Sequence, residues 1–144
     1  MATPFSDITS DIRSHLANNA GGLKILYENM PKTQIRDTNG QMPGEFIMLE
    51  ILFAGADLAS IGSPQVRKHR YTGVVLVHIF TQIAQGDGRS YELADIVANA
   101  FKSRGVNKIN FRAANIDAGS EAKDEAGQYW RVTVTVPFFK DFTE

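Results

Sequence analysis

Residues 70–80, with the sequence RYTGVVLVHIF, form the longest uninterrupted apolar and β-branched run in the chain. Both the odd and the even positions of this run are mostly hydrophobic, whereas a strand with one face in water alternates apolar and polar residues. The run therefore predicts a strand covered on both faces. The cover is either the core on both sides, or the core on one side and a partner molecule on the other.

Length and composition place this strand in an ordinary globular protein. The chain has 144 residues, of which 43% are hydrophobic and 22% charged, and this predicts a single domain over residues 1–144. The formal net charge of −1 gives no reason to expect nucleic acid or an anionic membrane as the dominant partner. No apolar run approaches the length that spans a bilayer. We therefore expect the protein to be cytoplasmic when it is made.

The first half of the sequence predicts a helix and two strands joined by long connections. The helix begins at Thr3 and Pro4, and its apolar stripe consists of Phe5, Ile8, Ile12 and Leu16. Strands are predicted over residues 23–27 and 45–53. The loop over residues 30–44 is longer than the roughly 2–5 residues usual for a hairpin, so it is either a hairpin tip or an arm that grips a partner. A second connection, over residues 54–69, leads into the central strand.

The second half predicts a helix and a hairpin. The helix begins near Ser90 and closes at Gly105, and its buried stripe is predicted to be Leu93, Ile96, Val97, Ala100 and Phe101. The hairpin has strands over residues 109–116 and 128–139 and a charged tip over residues 117–127, and Pro137 indicates a sheet edge or a strand end. The resulting fold class is α+β, a single antiparallel or mixed sheet of about five strands with two helices packed on one face.

The residues that most often carry chemistry do not form a recognisable site. The chain has no cysteine, which excludes disulfides, zinc–thiolate sites and cysteine nucleophiles. The three histidines, His15, His69 and His78, lack the i, i+4 spacing of a helical metal site. Structural roles are therefore favoured for them, although His78 lies in an apolar strand and must find partners for its ring nitrogens.

Three short motifs suggest ligands, but none has the full pattern of a binding site. Gly86, Asp87 and Gly88 precede a helix but lack the lysine and threonine of a P-loop, so they are interpreted as a turn. The acidic residues between 117 and 125 do not have the spacing of a calcium-binding loop. The basic run Arg67, Lys68, His69 and Arg70 more often forms a solvated strand entry, or pairs with acidic residues, than contacts nucleic acid. The sequence predicts no catalytic residue, metal or cofactor.

The order of features along the chain nevertheless resembles a known family. An N-terminal helix precedes YENMP at residues 27–31, and IG at 61–62 precedes RYTGVVLV at 70–77. GDG at residues 86–88 then leads to the helix LADIVANAF at 93–101 and to a last strand that ends VPF at 136–138. This series is similar to the tail-terminator-like proteins of long-tailed bacteriophages. The loop over residues 81–85 departs from the proline-containing form of that family.

The resemblance implies a structural role and no enzymatic one. Tail terminators form rings, usually hexameric, that cap the tail tube, stop its polymerisation and offer a surface for joining the tail to the head. The implied partners are other copies of the chain, the major tail tube protein and head–tail connector proteins, with nucleic acid at most passing through the ring lumen. The implied location is the head-proximal end of the virion tail, after assembly in the host cytoplasm. Neither a cofactor nor a membrane belongs to this role.

On this hypothesis the loops over residues 30–44 and 54–69 are contact elements. We therefore place the subunit or tube interface at the charged residues Arg36, Asp37, Arg67, Lys68 and Arg70. Two alternatives stay open: another head–tail connector or tail-completion subunit, and a small ligand-binding α+β domain. In the latter, His78, Arg70 or Asp95 would converge on one pocket.

Overall fold

The computed structural model describes residues 3–28, 43–58, 68–82, 88–102, 106–117, 119–124 and 127–143. These residues form two helices, α1 (Pro4–Asn19) and α2 (Gly88–Lys102). They also form seven strands, β1 (Ile25–Tyr27), β2 (Phe46–Leu58), β3 (Lys68–Gln82), β4 (Asn110–Phe111), β5 (Asn115–Ile116), β6 (Ser120–Asp124) and β7 (Gly127–Thr143). Within the described ranges, no helix is both long and apolar enough to span a membrane.

The strands form one mixed sheet in the order β1-β2-β3-β7, and the outer edge of β7 pairs in turn with β4, β5 and β6. β1 is parallel to β2, and the other pairs are antiparallel. The predicted central strand is therefore central, since β3 pairs along its whole length with β7 and over most of it with β2. The predicted α+β class, with one sheet and two helices, is confirmed.

Both helices cover the same face of the sheet. Side chains alternate along β3, so its odd-numbered residues point to one face, and Val75, Val77 and Ile79 are fully buried there. The apolar stripes of the helices meet this face, through Ile8, Ile12 and Leu16 of α1 and Leu93, Val97 and Phe101 of α2. The helical spacing of these apolar residues and the period of two in the strands thus produce a single core.

The far edge of the sheet differs from the predicted hairpin. The predicted strand over residues 109–116 is broken into β4 and β5, and part of the predicted charged tip is the strand β6, which pairs with residues 127–131. The three short strands lie end to end along β7. The predicted last strand is also longer than expected, because β7 continues to Thr143.

The sequence predicts a sheet edge or a strand end at Pro137. β7 does not end there, and Pro137 lies where the neighbouring edge strands are interrupted. Its carbonyl oxygen accepts a hydrogen bond from the Arg112 N–H (2.8 Å), so the nitrogen of Pro137 also faces this side and not β3. The residues opposite Pro137 lie between β4 and β5, so the missing N–H of the proline interrupts neither of these two short strand pairings. A proline can therefore lie within a strand that pairs on both sides.

Two further predictions are corrected. β2 continues to Leu58, five residues beyond the predicted end at Phe53, with a bulge in its pairing to β3 between Phe53 and Gly55. Ile96, predicted to be in the buried stripe of α2, is 38% exposed, whereas Ala94 is fully buried in its place. The difference arises because α2 lies on the sheet through the face of Leu93, Ala94 and Val97.

Candidate subunit interface

The face of the sheet opposite the helices, here called the open face, carries the even-numbered side chains of β3. Val74, Leu76 and Phe80 are all intermediate in exposure, while the odd-numbered apolar neighbours on the helical face are buried. Leu52 of β2, opposite Val74, is 47% exposed. The sequence predicted cover on both sides of this strand. The helical layer supplies one cover, and the open face remains partly exposed.

One end of the open face is closed by a small second core. Leu26, Phe46 and Tyr129 are buried together, with Met48 and Phe80 packed against them. The Phe46 and Phe80 rings stack at 4.7 Å between centroids, and Tyr129 meets Phe46 edge-on at 5.2 Å. The Tyr129 hydroxyl donates to the carbonyl oxygen of Pro43 at 3.1 Å. This end of the face is therefore held rigidly within the chain.

The centre of the open face carries a row of polar groups that crosses the sheet. His78 Nδ1 lies 2.8 Å from Thr133 Oγ1, and His78 Nε2 lies 3.0 Å from Glu50 Oε2. The row continues on β7, where the Thr133 backbone N–H donates to Asp117 Oδ1 at 2.8 Å. Both ring nitrogens of His78 therefore have partners, as an imidazole in an apolar strand requires. The row links β2, β3, β7 and the residue that follows β5.

The other end of the open face is a shallow concavity of about 430 Å³, here called the sheet concavity. Its open-face lining is mostly apolar and includes Leu52, Thr72, Val74, Pro137, Phe139 and Arg112. Gly73 allows β2 and β3 to approach closely at this point. A Cβ there would lie 2.4 Å from the carbonyl oxygen of Leu52 and 2.9 Å from Phe138 Cζ. Close approach of β2 and β3 thus shapes one wall of the concavity.

Two arginines and one aromatic ring form the rim of this concavity. The Arg70 guanidinium carbon lies 4.4 Å from the centre of the Phe139 ring, and that of Arg112 lies 5.4 Å from the same centre. Both distances are within the range of cation–π attraction. Within the described part of the chain, Arg112 has no carboxylate partner, whereas Arg70 makes a two-pronged ion pair with Asp141. Arg112 is therefore the available positive charge of this rim.

Lys68 and Arg70 are the two predicted interface residues that the structure describes, and both lie near Asp141. Hydrogen bonds from Arg70 hold the pKa of the Asp141 carboxyl below its usual value, and the charge of Lys68 adds to the effect. The other predicted interface residues, Arg36, Asp37 and Arg67, lie outside the described residues, as do residues 29–42 and 59–67 of the two predicted contact loops. The structure thus gathers Lys68 and Arg70 at one end of the open face.

Sequence reasoning missed Arg112 and Phe139 as rim residues. Arg112 follows β4 and Phe139 lies on β7, and the pairing of β4 with β7 brings the two side chains together. No local spacing signals such a contact. The one available signal was the aromatic character of residues 138 and 139 at the end of an alternating strand.

The residues expected to converge in a ligand-binding domain are separated. His78 is on the open face, while Asp95 lies on the exposed side of α2, beyond the opposite face of the sheet. Arg70 lies eight residues from His78 on the same strand, which corresponds to about 26 Å at 3.3 Å per residue. His15 lies on α1, away from these residues. Its Nε2 forms a hydrogen bond with the Ala100 carbonyl oxygen of α2 (2.5 Å), which joins the two helices. No group of three metal-binding side chains occurs among the residues described.

A second cleft, of about 390 Å³, lies at the opposite end of β3 and is lined by paired charges. Arg89 at the start of α2 donates to both carboxylate oxygens of Glu45 (2.9 and 2.7 Å) and to Glu92 (3.1 Å). These hydrogen bonds hold the pKa of Glu45 below its usual value and raise that of Arg89. These ion pairs link the start of α2 to the residue before β2, and both partners of Arg89 lie within the chain.

No family model matches this sequence. A search of curated proteins gives no match either.

Proposed function

We propose that this protein is a ring-forming structural subunit of a bacteriophage tail, which caps the tail tube, stops tail polymerisation and offers a surface for joining the head. The observation that carries the proposal is the difference between the two faces of the sheet. The central part of one face is packed by α1 and α2, and the other face presents an apolar concavity with Leu52 47% exposed. A subunit built to assemble needs such surplus apolar surface, because burial of apolar area drives association.

The polar groups of the open face support a role in contacts over a role in chemistry. His78 is held between Thr133 and Glu50, and Arg70 is held by Asp141. Both ring nitrogens of His78 have partners within the chain, and Arg70 is held by two parallel hydrogen bonds, so both residues serve to fix the shape of the face. A rigid face of defined shape is what a repeated protein–protein contact requires.

The order of sequence motifs that resembles the tail-terminator family gives the proposal its specific form. The proposed partners are further copies of the chain in a hexameric ring, the tail tube protein below the ring and a connector protein above it. The proposed location is the head-proximal end of the tail. In a closed ring each subunit meets its two neighbours through unlike surfaces, which suits a domain with two unlike faces.

Deletion of the coding sequence from the phage genome that carries it tests this function. We expect particles with overlong or irregular tails when they are imaged by electron microscopy, and restoration of uniform tails when the gene is supplied in trans. Tails of normal and uniform length without the protein would refute the proposal.

Addition of the purified protein to polymerising tail tube protein separates a terminator from another neck subunit. A terminator should stop tube growth when present at about one ring per tube end. A connector or completion subunit would form rings and leave tube growth unchanged. The two outcomes are distinguished by the length distribution of the tubes.

A further inference from the structure

A second exposed apolar patch lies on the outward side of α2, on the opposite side of the molecule from the sheet concavity. Tyr91 is 37% exposed and Ile96 is 38% exposed, although both are large apolar side chains. Glu92, Asp95 and Asn99 are exposed beside them. The spacing of three and four residues places all five on one side of the helix. We call this surface the α2 patch.

The charges of the two surfaces are complementary. The Asp95 carboxylate of the α2 patch has no ion-pair partner within the described ranges, and Glu92 adds a second negative charge, which is shared with Arg89. The rim of the sheet concavity offers the guanidinium of Arg112, which has no carboxylate partner among the described residues and is exposed beside the Phe139 ring. Each surface therefore combines exposed apolar side chains with an available charge, and the signs are opposite.

We propose that the α2 patch of one copy docks into the sheet concavity of the next, with Ile96 and Tyr91 against Leu52, Val74 and Phe139, and with Asp95 facing Arg112. The inference rests on the proposed function, because it names the contact through which the ring would form. Burial of both apolar patches supplies attraction, and the Asp95–Arg112 pair sets the alignment of the two copies.

The position of the surfaces determines the type of assembly. The α2 patch and the sheet concavity lie on opposite sides of the subunit, so every copy that accepts a neighbour at one side offers a patch at the other. Such head-to-tail contacts produce a ring when the rotation between copies closes. A contact between like surfaces would stop at a dimer instead.

Cysteine-specific cross-linking tests the contact, because the chain has no cysteine of its own. The variant Leu52→Cys/Ile96→Cys, treated with a short bismaleimide at high protein concentration, should give a ladder of dimers, trimers and larger species on denaturing gels. Leu52→Cys and Ile96→Cys alone should give no ladder, since each surface meets an unlike one. The matched control, Ile96→Cys/Ile116→Cys, pairs the α2 patch with a side chain on β5 that is 40% exposed.

Charge reversal gives an independent readout in the same background. Asp95→Arg or Arg112→Glu alone should weaken cross-linking about tenfold, since each places like charges together, and the two changes combined should restore it. Higher salt should weaken the unmodified contact. Absence of the ladder, dimers from a single cysteine, an equal ladder from the control pair, or no rescue by the combined reversal would each overturn the inference.

The tube-growth assay keeps this inference separate from the proposed function. Cross-linked ladders with no effect on tube growth would leave the contact standing and remove the terminator role. Normal capping by the unmodified protein, together with cross-linking only through the control pair, would leave the role standing and remove the contact.

Discussion

Arg70 and Asp141 lie directly opposite each other on β3 and β7, joined by hydrogen bonds of 2.8 Å from Nε to Oδ1 and 3.0 Å from Nη2 to Oδ2. The parallel geometry of the two bonds fixes both side chains at the rim of the sheet concavity. The pair also means that the charge of Arg70, one of the residues predicted from sequence to lie at an interface, is already balanced within the chain. Arg112 is the better candidate for contact with a partner's carboxylate.

The lowered pKa values of Asp141 and Glu45 predict a pH-dependent stability. The pKa of each carboxyl is lower in the folded state than its usual value, which is 3.8 for Asp141 and 4.5 for Glu45. Each carboxyl therefore binds a proton less tightly when the protein is folded. Their stabilising contributions are therefore complete above these values and are lost as the pH falls through the lowered values. Urea denaturation of Asp141→Asn/Glu45→Gln should show a shallower loss of stability than the unmodified protein between about pH 5 and pH 2.

The control for this experiment, run at a protein concentration low enough to keep the subunits apart, is Asp95→Asn, which removes a carboxylate that has no ion-pair partner in the described part of the chain. It should leave the steepness of the acid transition close to that of the unmodified protein. Identical pH profiles for the unmodified protein and Asp141→Asn/Glu45→Gln would contradict the assignment of these pairs as sources of stability.

Substitution of Gly73 should destabilise the junction of β2 and β3. A Cβ at this position would lie 2.4 Å from the carbonyl oxygen of Leu52, a backbone atom that cannot move without disturbing the ladder. We expect Gly73→Ala to lower the free energy of unfolding by about 1–3 kcal/mol, the usual cost of overpacking. Gly55→Ala is the matched control in the same strand pair, because a Cβ there meets nothing within 4 Å. Equal stability of the two variants in chemical denaturation would count against this packing.

Truncation on the two faces of the sheet should have unequal effects. Ile79 is fully buried on the helical face, so Ile79→Ala should cost about 2–5 kcal/mol of unfolding free energy. Leu52 is 47% exposed on the open face, so Leu52→Ala should cost less than about 1 kcal/mol while weakening the proposed association. Thermal or urea unfolding measures the first effect, and sedimentation measures the second. A large loss of stability in Leu52→Ala would show that the open face belongs to the core of the single subunit.

Removal of the Thr133 hydroxyl should weaken the polar row at the centre of the open face. Thr133→Val keeps the shape of the side chain but leaves His78 Nδ1 without its partner at 2.8 Å. The expected loss is about 1 kcal/mol, typical of one hydrogen bond. Thr135→Val, two residues along the same face, is the control and should be nearly neutral. An unfolding free energy of Thr133→Val equal to that of the unmodified protein would argue against this row as a source of stability.

Local pattern predicted most of the fold, since both helices, the central strand and the alternating last strand follow from residue spacing. The failures have long-range causes. Pro137 indicates a sheet edge or a strand end because a proline lacks a ladder donor. β7 continues past it, and the proline instead faces the gap between β4 and β5. Ile96 fits the helical stripe as well as Ala94 does, and only the seating of α2 on the sheet decided which is buried.

The candidate site was predicted in part only. The basic run at the start of β3 was recognised, and the surplus apolar surface of residues 70–80 indicated cover from outside the core. The contacts of Phe139 with Arg70 and Arg112 could not be predicted, because the three residues belong to separate segments of the chain.

Local residue pattern specified the two helices, the two faces of the long strands and the apolar character of the central strand. These properties depend on neighbours in the chain, whose geometry repeats every 2 or 3.6 residues. Tertiary contacts place both helices on one face and leave an exposed concavity on the other. They also pair Arg70 with Asp141, while Arg112 has no carboxylate partner in the part of the chain that the structure describes. Those outcomes depend on strand register, and register is fixed by the packing of the whole sheet against its helices.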